Sequence, residues 1–509
     1  MVSPSVIAAS ATAGAEYVDG CPAANAGGYS PRKVAPLAAR GRGVNAGSHP
    51  IGVAGIDPIH DARAMQPFRH ALALIASLAA ASGALAAPVT VYRHARLIDG
   101  TGTAMRPDMD VVVDGERIMS VVPDGGFVPP AGAQVIDLAG RTIMPGLIDS
   151  HVHLATPPNR RQAEAILRRN LYGGVTAVRD MADDDRAVAE LARAARQAEI
   201  PAPDIYFAAL MAGPPFFADP RITAAGKGWA PGTAPWLQAI DDRTDIHDAV
   251  TLARGTGATA IKIYADLPAR LIDAITAEAH RQHLLVWAHS AVFPTRPADV
   301  IAAGVDAVSH VCYLAYQVEP AMLAAYEDHT PVHEDLLKQP EDPVIAGLYA
   351  DMLRRGTIID ATGSLFVQAD AERRADPTRK PLRCSGAATT RLAAQAWHAG
   401  VPISAGTDYP GDDPLWPSVH EEIFWLVRGV GMSPLQAIRS ASLVGAQAAG
   451  QAADMGSIAP GKLANFVVLT ADPSADIAAI RSIVMTVKRG RAYPRADYRP
   501  VKPEELSDR

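Results

Sequence analysis

Between residues 141 and 450, short apolar runs alternate with stretches whose hydrophobic positions recur at helical spacing. Strands buried on both faces read as near-continuous apolar segments, and crossover helices show one apolar and one polar face. The alternation therefore predicts a parallel sheet with connecting helices. Eight strands are predicted, in TIMPGLIDSHVHL, GVTAVRD, DIYFAALMAG, TAIKIYA, LLVWAHS, DAVSHVCYL, TIIDATG and PISAGTD. Eight βα units over roughly 280 residues match the usual size of a TIM barrel, whose catalytic groups emerge at the C-terminal ends of the strands.

The pattern changes at both ends of this region. Residues 87–140 and 451–509 run in short β-prone pieces, such as MDVVVDG and LANFVVLT, separated by Gly, Asp and Pro turns. Strand groups at opposite ends of a chain predict one small β-sandwich built from both, although two unrelated β-appendages would give the same pattern. The fold class expected is α/β: a (β/α)8 TIM barrel over 141–450 with a small β-sandwich domain made from 87–140 and 451–509.

Residues 1–64 lack sustained periodicity and are rich in Ala, Gly and Pro, as a non-native or disordered extension would be. Met65 is followed by Arg69 and His70, an apolar run from Ala71 to Leu85, and the small-residue pattern Ala84-Leu85-Ala86. This is the anatomy of a secretory signal peptide over 65–86, with Met65 as the true start and Ala87 as the first mature residue. A membrane anchor or an Ala-rich helix is the alternative, but the run is short for a span of about 20 apolar residues. The expected location is periplasmic or secreted, with no membrane attachment after cleavage.

A chain of 509 residues, 49% hydrophobic and 20% charged, has ample apolar material for one large domain and a smaller one. Its net charge of −7 and pI near 6.1 offer no general attraction to nucleic acid or anionic lipid. A small-molecule substrate is the partner to look for; the helices ringing the barrel are compatible with a homo-oligomer. Of three cysteines, Cys21 lies in the leader region, and Cys312 and Cys384 are free to pair in an oxidising compartment, which their spacing does not decide.

His151 and His153 end the first predicted barrel strand two residues apart, so both side chains point the same way and can share one metal ion. Such a pair also arises by chance on exposed strands. Lys262 lies in the apolar strand TAIKIYA, where an unpaired ammonium is costly and its pKa falls; a neutral amine reacts with carbon dioxide to give a carbamate able to bridge two cations. A lysine paired with a nearby carboxylate is the alternative. His289, His310 and Asp408 end LLVWAHS, DAVSH and PISAGTD, which puts every candidate at one face. His280, His398 and His420 fall on helical segments and His283 on the opposite rim, as packing or surface residues would.

PGLIDSHVHL, the strand-borne Lys262, WAHS, SHV, SAGTDYP and MGSIAPGKLANFVVLTADP together resemble the amidohydrolase superfamily. Within it the chain is most similar to the imidazolonepropionase-related and Xaa-Pro dipeptidase-like branch that carries a carboxylated lysine. The resemblance implies two divalent metal ions, Zn2+ first among the candidates, with His151, His153 and Asp408 on one, His289 and His310 on the other, and Lys262 bridging as its N6-carboxylated form. Two departures stand out: long connections, a Gly/Pro- and aromatic-rich loop after the third strand and another stretch between the sixth and seventh, both expected to shape the pocket, and Asn465 where the family has an Asp.

Two cations sharing a water lower its pKa and polarise a carbonyl, and Asp408 is placed to move the proton to a departing amine. The activity expected is hydrolysis of C–N amide or peptide bonds in small molecules such as dipeptides, N-acyl amino acids or cyclic amides. Ester, lactone or phosphotriester hydrolysis on the same centre is the alternative, and a non-catalytic metal-binding protein a further one. Tyr264 is a candidate oxyanion donor or an aromatic filling the barrel mouth. Arg221 and Lys227 are candidates for binding a substrate carboxylate, or solvated loop charges.

Overall fold

Two sheets share the chain unequally. The computed structural model describes residues 89–506; the expected signal peptide and the extension before it lie outside the described residues. The first strands, β1 (Thr90–Leu97), β2 (Arg106–Asp114), β3 (Arg117–Pro123), β4 (Gln134–Asp137) and β5 (Thr142–Pro145), join one mixed sheet. The chain then enters the barrel at β6 (Leu147–Val152), followed by β7 (Val175–Asp180) and β8 (Asp204–Ala212). Two short strands, β9 (Thr233–Ala234) and β10 (Leu237–Ala239), interrupt the barrel series. It resumes with β11 (Ala260–Ile263), β12 (Leu285–His289), β13 (Ala307–Ser309), β14 (Ile358–Asp360) and β15 (Ile403–Ser404). The last strands, β16 (Phe466–Leu469), β17 (Ile483–Lys488) and β18 (Arg491–Pro494), return to the first sheet.

The barrel strands pair in parallel in the order β6-β7-β8-β11-β12-β13-β14-β15. Closure comes from backbone bonds between the first and last strands, Ser150 N–H to the Ala405 carbonyl and Asp408 N–H to that of His151, both 2.8 Å. The terminal sheet runs β18-β17-β16-β5-β1-β2-β3, with β4 also on β1, so β16 lies antiparallel to β5 and stitches the two ends of the chain together. It has its own core, including Tyr92, Leu97, Val111, Phe466 and Val487. This is the expected barrel with a second β-domain built from both termini.

Two expected strands are divided or cut short. TIMPGLIDSHVHL does not form a single strand: β5 belongs to the terminal sheet and β6 to the barrel. The crossing is Gly146, whose N–H donates to the Asn465 carbonyl and whose missing side chain leaves room for Thr176. DAVSHVCYL stops as a strand at Ser309, because His310 takes a left-handed backbone (φ 68°) and the chain continues as the 3-10 helix Val311–Val318. That helix carries Cys312, which is bonded to Cys384 in a disulfide.

The long segment after β8 is not a bare loop. It forms the 3-10 turn Pro214–Ala218 and the helix Pro220–Ala225, then adds β10 in parallel to β8. Among the described residues, no helix is long and apolar enough to cross a membrane.

Candidate active site

The ends of β6, β11, β12, β13 and β15 bring six of the predicted side chains to one rim of the barrel. His151 lies in β6 and His153 one residue beyond it, and their Nε2 atoms both stand 3.3 Å from Asp408 Oδ1. His310 Nε2 is 3.8 Å from the other Asp408 oxygen. The His289 ring centroid lies 4.8 Å from that of His310. Lys262, in β11, donates from Nζ to Ser309 Oγ at 3.2 Å. His151, Lys262, His289, His310 and Asp408 are all at most 5% exposed.

The backbone accepts strain to aim these groups. His310, Thr362 and Asp408 each adopt positive φ (68°, 49° and 55°) at the ends of three successive barrel strands. For non-glycine residues this costs about 1–2 kcal/mol each and persists only where the surroundings over-determine it. At Asp408 the fastening is visible. Thr407 donates from N–H and Oγ1 to the two oxygens of Asp149, and Asp408 N–H bonds to the His151 carbonyl.

Partners behind the imidazoles fix which nitrogen faces the site. His151 Nδ1 is 2.7 Å from Asp360 Oδ2, and His153 Nδ1 is 2.8 Å from Asp183 Oδ1. Facing carboxylates, both Nδ1 atoms donate. His310 Nδ1 meets Thr362 Oγ1 at 2.9 Å, and that hydroxyl already gives its proton to the Ala361 carbonyl, so here too Nδ1 donates. In all three rings Nε2 is therefore left with a lone pair turned towards Asp408. Asp408 Oδ1 is buried without a hydrogen bond, and so is His289 Nδ1.

Lone pairs from three imidazoles converging on a carboxylate repel unless a cation sits among them. The donor set, His nitrogen with carboxylate oxygen, suits Zn2+ and similar divalent ions, and the Nδ1–H contacts to carboxylate or hydroxyl are the usual support for metal-ligating histidine. One atom from each of His151, His310 and Asp408 lies within 4.8 Å of the others, which is compact enough for a shared ion. The residues present fit a metal.

Electrostatics prepare the same groups. Burial keeps the His151 and His289 imidazoles neutral, well below their ordinary pKa. Burial would raise Asp408, but positive charge among the facing His151, His153 and His310 outweighs it and brings the carboxylate down to about 2, the same charge that a cation would supply. Complete burial pulls Lys262 down to about 7, aided by Arg179 and opposed by Asp360 and Asp408.

Tyr264 lies against the site, its ring 4.1 Å from that of His289 and stacked at 4.5 Å on Phe216. Its hydroxyl is 3.4 Å from that of Tyr326. Tyr313 adds an aromatic wall beside His310. A cavity of about 10 Å³, one water's worth, touches His153, Asp408 and Asp149. Arg221 is engaged by Asp219, the N-cap of its own helix, through Nε and Nη2, and Lys227 is exposed in the turn after that helix.

Sequence reasoning missed the residues behind the ligands: Asp183, Asp360, Thr362, Ser309 and Arg179. Asp360 had a signal, since it is an acidic residue at the C-terminal end of an apolar barrel strand, as His289 is a histidine at the end of its own. Asp183 sits within a run of three aspartates, 183–185, where nothing local distinguishes it.

A closed parallel barrel with histidines and an aspartate on its C-terminal rim defines a barrel hydrolase of the metal-site type. A family model described as "Amidohydrolase family" matches residues 142–493, and the chain belongs to that family. It is thus a metal-dependent hydrolase acting on carbon–nitrogen bonds. It is 29% identical over 396 residues to the imidazolonepropionase of Streptomyces griseus subsp. griseus, covering 73% of this chain and 88% of that one. Among solved structures it is similar to a Xaa-Pro dipeptidase with bound methionine in the active site (TM-score 0.63, 22% identity, 80% of this chain and 100% of that one). It is also similar to A. niger ochratoxinase (TM-score 0.63, 21% identity, 80% and 96%). At these identities the structural likeness speaks to the fold.

Proposed function

We propose that the protein is an exported amidohydrolase that cleaves amide or peptide bonds of small molecules, such as dipeptides, N-acyl amino acids or cyclic amides, at a centre for two divalent cations, Zn2+ first among them. The carrying observation is the convergence of three imidazole Nε2 atoms on Asp408, each ring locked by a partner at Nδ1. His151, His153 and Asp408 would hold one ion and His289 and His310 the other, with Lys262 between them as its carbamate. When bound, such ions acidify water and polarise the scissile carbonyl.

The chain's own groups then divide the work. Asp408, ionised and buried, accepts the proton of the attacking water and passes it to the departing amine, which an amide needs because its nitrogen leaves poorly. Tyr264 presents a hydroxyl beside His289 for the developing oxyanion. Lys262, with a pKa near 7, is available as a free amine at neutral pH to react with carbon dioxide. Arg221 would have to give up Asp219 before it held a substrate carboxylate, so it and Lys227 enter only if the segment after β8 rearranges. Export is supported by the Cys312–Cys384 disulfide, since such bonds persist in oxidising compartments.

A panel of dipeptides, N-acyl amino acids and cyclic amides, assayed before and after chelator treatment and again after Zn2+ is restored, tests this reading. Amide cleavage that disappears and returns supports it; cleavage indifferent to the chelator contradicts it.

A further inference from the structure

Behind the rim, one buried carboxylate touches His151 directly and Lys262 through one hydroxyl. Asp360 ends β14, two strands away from β6 in the closed barrel, and is fully buried. Its side chain reaches over β15 at Gly406. A Cβ built on Gly406 would fall 2.0 Å from Asp360 Oδ1 and 2.9 Å from His151 Cβ, so only glycine leaves the carboxylate this path.

Three donors converge on Asp360 Oδ2: His151 Nδ1 at 2.7 Å, Ser309 Oγ at 3.1 Å and Arg179 Nη2 at 3.2 Å. Because the Ser309 hydroxyl donates to Asp360, its oxygen accepts from Lys262 Nζ. A continuous chain thus runs from His151 through Asp360 and Ser309 to Lys262. Arg179 balances the carboxylate and is itself fixed, donating to the Ser150 and Ala448 carbonyls and lying 4.4 Å above the Trp287 ring.

We propose that Asp360 is a positioning residue for the His151 and Lys262 side of the metal centre, setting the His151 ring with Nε2 towards Asp408 and, through Ser309, holding Lys262 in register with it. The inference rests on the metal reading above. It asks of Asp360 what a purely structural ion pair with Arg179 would not supply: control of metal affinity from two bonds away. His153 has its own partner in Asp183, so Asp360 governs the His151 and Lys262 side of the centre.

The test is Zn2+ affinity by competition with a chromophoric chelator, together with thermal unfolding of metal-free protein, for wild type and Asp360→Asn. Losing such a partner typically weakens metal binding about 10- to 100-fold, and that loss is expected here, beyond any change in the metal-free unfolding temperature. Should Arg179, left without its counter-charge, prevent Asp360→Asn from folding, the Arg179→Met/Asp360→Asn double variant removes the buried cation and carries the same expectation. Affinity within twofold of wild type in the variant that folds overturns the proposal, even if its stability falls. Wild-type protein that binds no Zn2+ overturns the metal reading itself, which a wild type that binds and a variant that binds equally well would leave standing.

Discussion

At the scale of single residues, the proposed mechanism gives Asp408 two duties, metal ligand and proton acceptor, that a substitution can separate. Asp408→Asn keeps the shape and removes the proton acceptor, so amide hydrolysis should fall about 100- to 10,000-fold. Activated esters, whose leaving groups need no proton, should fall far less, and kcat/KM on a matched amide and ester checks the difference. Lys262 gives a pH signature in the metal-free protein. Burial lowers its folded pKa to about 7 from an unfolded value near 10.5, so between those values the unfolded chain binds the extra proton. The cost of burying the amine is therefore full below pH 7 and is relieved as pH rises towards 10.5. In denaturant titrations of metal-free protein, wild type should gain stability relative to Lys262→Met across that window; parallel pH profiles would refute the assignment. The histidines, Lys262 and Asp408 were legible in the sequence because each stands at a strand end, where chemistry and position coincide. Asp183 and Thr362 were not, because their meaning comes from rings that approach from other strands.

At the scale of elements, the change of sheet at Gly146 was hidden inside what the sequence presents as a single apolar run. Both halves of TIMPGLIDSHVHL are buried strands, so hydrophobicity cannot mark the point where one sheet hands over to the other. Only the close approach of Thr176 demands glycine: a Cβ there would lie 2.2 Å from Thr176 Oγ1 and 2.3 Å from its Cγ2. Gly146→Ala should destabilise the fold by about 1–3 kcal/mol through overpacking. Since the two nearest atoms are those a Thr176→Ala change removes, the double variant should recover part of the loss in thermal unfolding. The segment after β8 has the composition of a loop yet adds β10 beside the end of β8, because its β-pairing residues are only two or three long and leave no periodic trace.

At the scale of the whole molecule, the barrel and the terminal β-domain were both foreseeable, the first from eight alternating units and the second from matching strand-rich ends. The pairing of Cys312 with Cys384 was not, since it depends on the 3-10 helix that follows His310. The bond closes a loop spanning 72 residues, worth about 4 kcal/mol in the loop-closure view. A reducing agent, or Cys312→Ser with Cys384→Ser, should lower the unfolding temperature by several degrees, while an unchanged temperature would mean the bond does not form in solution. The proposed centre would gather metal ligands from five strands. Elemental analysis of dialysed wild type and Lys262→Ala tests that most directly. Two divalent ions per chain in the wild type, with the Lys262→Ala variant losing at least one, is the result predicted; no bound metal in the wild type, or equal metal content in both, would contradict the account.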